Sequence, residues 1–319
     1  MSDIGQFLQA CVASGIVLSS LCAMVVVPLL LWIAVRRLAP AIVSMNDDPA
    51  WQAPIAAFAA ALPGLAFGSF AFEALLTGYK SQCLAYVSGR VLFSGIIFLA
   101  IAAFVRASMR ALQQHAEVRR LFAASVAPSE RLARIAGDLG VPVRCLDDDL
   151  PLCALAGTTR PTIFISSASE RRLNDAELRA ALLHERAHRE RHDQILIAVL
   201  SFATDLLPLP VGDLIGTYRR ARELTADRDA ARATNPVYVA RAILGMARAQ
   251  SPVLAAGLSC EPSIVRVRLE ALLNDRRSSA KSTPRFVIAA ILVALTVLAS
   301  SSAIASVIVS AACARIASM

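Results

Sequence analysis

Hydrophobic positions along this chain have two textures. Long apolar stretches run over about 12–35, 54–78, 84–105 and 286–309. Each is long enough for the ~20 residues that cross a bilayer core. Between the third and the fourth stretch the pattern turns polar and periodic. A basic amphipathic helix is predicted over 108–124, and a short one over 129–138 that stops at Gly140. Short apolar runs near 141–145, 152–155 and 161–166 predict three strands of a small sheet. Next comes a helix over about 175–193, with Asn174 as N-cap and Glu177 completing a capping box. Ile195 to Ile215 is apolar but broken by Asp205, Pro208 and Pro210, so neither half can span; it is expected to pack in the core or dip into a bilayer surface. Three further helices follow: one around Glu223, then about 236–250 and 263–274. There is no internal repeat.

Composition sharpens the class. Hydrophobic residues make up 56% of the 319, charged residues 18%, and mean hydropathy is +0.58, values that soluble chains of this length rarely reach. The expected fold class is an α-helical membrane protein with four transmembrane helices and an inserted α+β domain. Residues 1–105 would form the membrane region, 106–285 the inserted domain, and 286–319 the fourth span with a short external tail. The first stretch has Asp3 in place of a basic leader and is too long for a signal peptide, so it is expected to be retained. Arg36, Arg37, Arg106, Arg110, Arg119, Arg120, Arg276, Arg277, Lys281 and Arg285 flank the spans on one side. By that bias the inserted domain is expected to be cytoplasmic and both termini external. Between Arg106 and Arg285 there are 27 basic and 20 acidic residues, nearly all of the formal charge of +8. Attraction to anionic lipid headgroups is favoured over a nucleic-acid or acidic-substrate partner as the reason for that surplus. No helix-turn-helix, zinc finger or aromatic-interleaved basic run is present, so direct nucleic-acid binding is not expected. Glu73 and Arg90 fall within spans, as functional groups or as snorkelling ends. The seven cysteines, at 11, 22, 83, 145, 153, 260 and 313, include no C-x-x-C and imply no disulfide framework.

The candidate chemistry is concentrated in one helix. Only four histidines occur, and three of them lie between 184 and 192. His184 and His188, in the run H-E-R-A-H, are one helical turn apart on one face and can grip one metal ion. Glu185 projects beside that ion, where it can take a proton from water. A third ligand is needed. The position six residues after His188 is Gln194, and Arg191 replaces the glycine of the metzincin pattern, which excludes that arrangement. His192 is two turns from His184 and is expected to be solvated. Glu223, 35 residues after His188, is the candidate ligand. Asp227, four residues on, shares its face and can fix the tautomer of a ligand histidine.

H-E-R-A-H followed by Arg222-Glu223-Leu224-Thr225-Ala226-Asp227 resembles the gluzincin metalloproteases of the BlaR/MecR type, and more distantly the HtpX and CAAX-prenyl-protease group. Pro151–Gly157 and Arg160–Ser167 resemble that family's pre-catalytic hairpin, and Leu173–Leu178 the start of its active-site helix. The resemblance covers roughly 105–285 and extends to the membrane layout. It implies a gluzincin-type domain holding one zinc ion on His184, His188 and Glu223, with Glu185 as general base and Asp227 behind a ligand. The strand at Cys153, Ala154 and Leu155 is expected to pair with substrate backbone. Tyr218, Arg219, Arg222 and Tyr238 are candidates for the transition-state donor, with no feature to choose between them. The implied substrate is a protein, either a transcriptional repressor in signalling or a membrane protein in quality control. About ten residues follow the fourth span, too few for a sensor domain, so a separate sensor partner is expected. A non-enzymatic receptor or scaffold is the reading from another class; it predicts decay of the catalytic positions, and all four are present.

Overall fold

Two kinds of helix build this protein, one apolar nearly all round and one with a single buried face. The computed structural model describes residues 29–30, 32–43, 48–80, 87–206, 214–247 and 262–273, with scattered positions beyond 295. Helix α1 (Pro49–Lys80) is of the first kind. Asp48 caps it: its carboxylate accepts from the Ala50 N–H at 3.1 Å and its carbonyl from Trp51 at 3.0 Å. Helix α2 (Val87–Ala124) is continuous across the 105/106 boundary expected between membrane region and inserted domain. A four-stranded sheet follows: β1 (Ser125–Val126), β2 (Val143–Leu146), β3 (Cys153–Ala156) and β4 (Thr162–Ser166). Helix α3 (Glu130–Leu139) lies between β1 and β2, and α4 (Ser167–Arg172) follows β4. The remaining helices are α5 (Asp175–Glu190), α6 (Asp193–Leu206), α7 (Leu214–Ala233), α8 (Pro236–Ala247) and α9 (Pro262–Leu273).

The sheet order is β1-β2-β4-β3, with β2 parallel to β4 and the outer pairs antiparallel. β4 is central, and all five of its residues are buried. Leu132 and Ile135 of α3 and Leu178 and Leu182 of α5 pack with Ile163 and Ile165 of β4 in one core cluster. On the opposite face Phe164 meets the edge of Phe122 from α2 at 5.0 Å. Leu178 and Leu182 are fully buried; truncating either to Ala should cost about 2–5 kcal/mol. Gly140, at φ 64°, closes α3 in the left-handed conformation that glycine adopts without strain. β1 and α4 have no counterpart in the predicted elements: two residues of strand and six of helix are too short to show a period.

The four-span architecture is corrected by this structure. Among the described residues one helix, Pro49–Glu73 within α1, is long and apolar enough to cross a membrane, and 47% of its apolar window is buried inside the protein. Its apolar side chains serve packing. Ala56, Ala57, Ala60 and Leu62 lie in one cluster with Leu200 of α6 and Leu214 and Tyr218 of α7, joined by Val35, Ala39 and Val43 from the helical segment 32–43. Of the stretch 84–105, residues 87–105 are the first part of α2, which runs on to Ala124. Further along α2, Arg106 donates to the Asp205 carbonyl and Arg110 pairs with the Asp205 carboxylate at the end of α6. The expected spans at 12–35 and 286–309 fall largely outside the described residues, as do both termini and five of the seven cysteines. An all-round apolar helix is read equally well as lipid-facing or protein-buried, and α1 is substantially the second.

Candidate metal centre

Helix α5 supplies the first groups. Its capping box is formed: Asn174 Oδ1 accepts from the Glu177 N–H at 3.0 Å, and Glu177 Oε2 from the Asn174 N–H at 3.1 Å. With the helix start fixed and Leu178, Ala181 and Leu182 pressed into the core, the next turn must present His184, Glu185 and His188 at the edge of that core. All three are buried. Helix α7 crosses α5, with Tyr218, Ala221, Ala226 and Ala230 buried along its length, and brings up Glu223 and Asp227.

The ligating atoms converge. His184 Nε2 lies 3.1 Å from His188 Nε2, and 3.3 Å from Glu223 Oε2; His188 Nε2 lies 3.5 Å from Glu223 Oε1. The ligand atoms of the three side chains all fall within 4.8 Å of one another. A tetrahedral zinc ion with bonds of ~2.0–2.1 Å separates its donor atoms by about 3.3–3.4 Å, close to these three edges.

The far nitrogens fix the state of the near ones. His184 Nδ1 is 2.8 Å from Asp227 Oδ1, and His188 Nδ1 is 2.6 Å from Asp193 Oδ2. Ionised carboxylates only accept, so each Nδ1 carries the proton and each Nε2 is left with its lone pair. Two lone pairs and a carboxylate facing one another repel unless positive charge sits between them. A proton meets part of that need. Burial opposes charge on His184, but Asp227 and Glu223 outweigh it and raise its pKa from 6.5 to about 9. Burial pushes Glu223 up, yet His184 and Arg268 take it well below the usual carboxylate range. Asp227 is likewise lowered against its burial, by Arg268 first.

Two of these groups escaped the sequence reading. Asp193 went unnoticed because the helix over about 175–193 was expected to run on through it. The helix instead ends at Glu190, His192 turns through φ 57°, and Asp193 swings back beneath His188 as the first residue of α6. Arg268 comes from α9, 41 residues beyond Asp227, which it grips with Nε and Nη2 at 2.7 Å each. Its Nη1 is 3.3 Å from Glu223 Oε2. No spacing rule reaches across that distance. His192 is exposed, as expected.

The same cleft, about 360 Å³, is lined by His184, Glu185, His188 and Glu223 together with Cys153, Ala154 and Leu155. β3 is an edge strand. Its register with β4, and the Ser166 N–H bonded to the Leu152 carbonyl at 2.9 Å, place Leu152, Ala154 and Ala156 in the hydrogen-bonded positions. The N–H and C=O of Cys153 and Leu155 therefore point to the open edge. Those of Leu155 are taken: its N–H donates to Glu185 Oε2 at 2.9 Å, and its carbonyl accepts from Gln194 Nε2 at 2.8 Å. The edge thus holds the candidate base in place, and leaves Cys153 facing the cleft. Burial, then Glu185, pushes the Cys153 thiol well above its usual range, so it stays neutral.

No protein-family model matches this chain, and no curated protein is significantly similar to it. What the arrangement does must be argued from the residues.

Proposed function

We propose that this protein is a zinc-dependent metalloendopeptidase that hydrolyses peptide bonds in a protein substrate. One observation carries the reading: two imidazoles, each backed by a buried carboxylate, converge with Glu223 in a cleft that also holds Glu185 against an edge strand. The donor set fits one zinc ion per chain on His184, His188 and Glu223, with Asp193 and Asp227 fixing the rings. Zinc, when bound, supplies Lewis acidity toward a carbonyl and lowers the pKa of water toward ~7.

The chain's own residues do the rest. Glu185, aimed by the Leu155 N–H, accepts a proton from water and delivers it to the departing amine. The free N–H and C=O of Cys153 can pair with an extended substrate segment, which lies along the β3 edge. The resemblance of 105–285 to BlaR/MecR-type proteins favours a regulatory role, such as repressor cleavage. Large apolar side chains exposed on α2 (Phe98, Phe104) and on α6 (Leu196, Val199) favour work close to a lipid surface.

The test is Glu185→Gln in the full-length chain, with fluorescein-labelled casein as substrate and metal content read in parallel. The variant should keep its zinc and lose cleavage by at least about 100-fold. Cleavage at the wild-type rate would show that Glu185 is not the base.

A further inference from the structure

Peptide hydrolysis by this site, on the reading above, needs a donor for the negative charge that develops on the scissile carbonyl oxygen. The sequence offered four candidates, and the structure separates them. Tyr218 is 2% exposed, packs in the α1–α6–α7 core and does not line the cleft. Tyr238 also lies outside the lining. Arg222 lines the cleft, but its Nη2 already donates to Glu223 Oε1 at 2.9 Å. Arg268, which the sequence did not offer, is committed to Asp227. Gln194 gives its Nε2 to Leu155.

Arg219 remains. It is exposed and lines the cleft, and among the described residues it is the one guanidinium there that no hydrogen bond or ion pair engages. It stands one turn before Glu223 on α7, so Arg219, Glu223 and Asp227 form a single stripe along that helix. The cleft is lined by α5, β3 and α7, with residues of α6, α8 and α9 completing it. Glu185 is held by β3, and Arg219 lines the cleft from α7. A base and an oxyanion donor are best supplied by different elements around one cleft.

We infer that Arg219 is a catalytic residue that donates a hydrogen bond to the oxyanion of the tetrahedral intermediate. Water oxygen forms the new bond to the carbonyl carbon as its proton passes to Glu185. The π pair of the C=O moves onto oxygen, where an Arg219 N–H meets it, the proton staying on nitrogen. Collapse re-forms the C=O and breaks the C–N bond. The electron pair leaves with the amine nitrogen, which takes the proton back from Glu185. An exposed guanidinium with no partner to give up is suited to this: it breaks no existing bond to reach the oxyanion, and it binds that oxygen most tightly when the charge is fully developed.

The experiment uses the full-length zinc-loaded chain, wild type against Arg219→Ala and Arg219→Lys. Labelled casein gives kcat and KM. Calorimetry with N-phosphoryl-leucinamide, whose tetrahedral oxygens stand in for the oxyanion, gives a readout independent of turnover. Loss of one such donor typically lowers kcat by about 100-fold or more. Arg219→Ala should show that loss with KM within about threefold. It should bind the phosphoryl compound weaker by a similar factor, with its metal content unchanged, and Arg219→Lys should recover part of both. Unchanged kcat, or a loss confined to KM, would overturn the role and assign Arg219 to recognition of acidic substrate residues. If the wild-type chain neither cleaves casein nor binds the phosphoryl compound, the peptidase reading itself fails, and this role with it.

Discussion

Replacing Asp193 with Ala should weaken zinc binding without unfolding the protein. Its Oδ2 sits 2.6 Å from His188 Nδ1, and the two side chains are 7% and 5% exposed. A short bond of this kind to a charged group contributes about 1.5–3 kcal/mol. Removal of a carboxylate behind a ligand histidine typically costs about 10–100-fold in metal affinity, which is about 1.4–2.8 kcal/mol, so the two routes agree. Asp193→Asn keeps the shape and an accepting oxygen but not the charge, and should fall between wild type and Asp193→Ala. Asp193 also sits in the first turn of α6, where losing its charge costs about 0.3–1 kcal/mol of stability at the helix terminus. Melting in excess chelator isolates that part. The assay is competition against a chromophoric zinc chelator at fixed pH. If Asp193→Ala holds zinc within twofold of wild type, then Asp193 does not orient His188, and the pairing of each ring with a carboxylate has no functional meaning.

Arg268→Met leaves Asp227, which is 1% exposed, without its guanidinium. Breaking a buried pair costs roughly 3 kcal/mol, a fall of about 6–12 °C in melting temperature for a domain of this size; a shift under 2 °C would refute the coupling. His192→Gly relieves a left-handed residue and should add roughly 1 kcal/mol of stability with zinc affinity unchanged; loss of zinc would make His192 a ligand after all. In metal-free protein the folded pKa of His184, about 9, exceeds its ordinary 6.5. The stability from its charged form is therefore complete below pH 6.5 and is lost as pH rises through about 9. Melting temperature in chelator should fall across that window and hold steadier with zinc present, and a rise on going alkaline would contradict the assignment.

The legible parts of this protein are those set by local spacing. Asn174, Glu177 and the apolar run to Leu183 fix α5 within a few residues, so His184, Glu185 and His188 could be placed on one face before any fold was known. Glu223 and Asp227 follow from the same four-residue repeat. Gly140 marks the end of α3 because little else adopts its φ. Asp193 was hidden by a helix break that no proline or glycine announces: the turn is made by His192, a residue that seldom takes a positive φ. Arg268 and Gln194 were hidden by distance, since their roles depend on α6 and α9 packing beside α5. The four-span reading failed for another reason. Apolar length fixes only that a segment is removed from water, and Ala56, Ala57 and Ala60 leave water by packing against α6 and α7.

The most direct test of the central claim is the metal content of the purified full-length chain, measured by inductively coupled plasma mass spectrometry after equilibration with zinc and removal of excess. The expected result is close to one zinc per chain, falling to near zero when His184 and Glu223 are both replaced by Ala. A correctly folded wild-type chain that carries no zinc, or a double variant that still carries one, would contradict it.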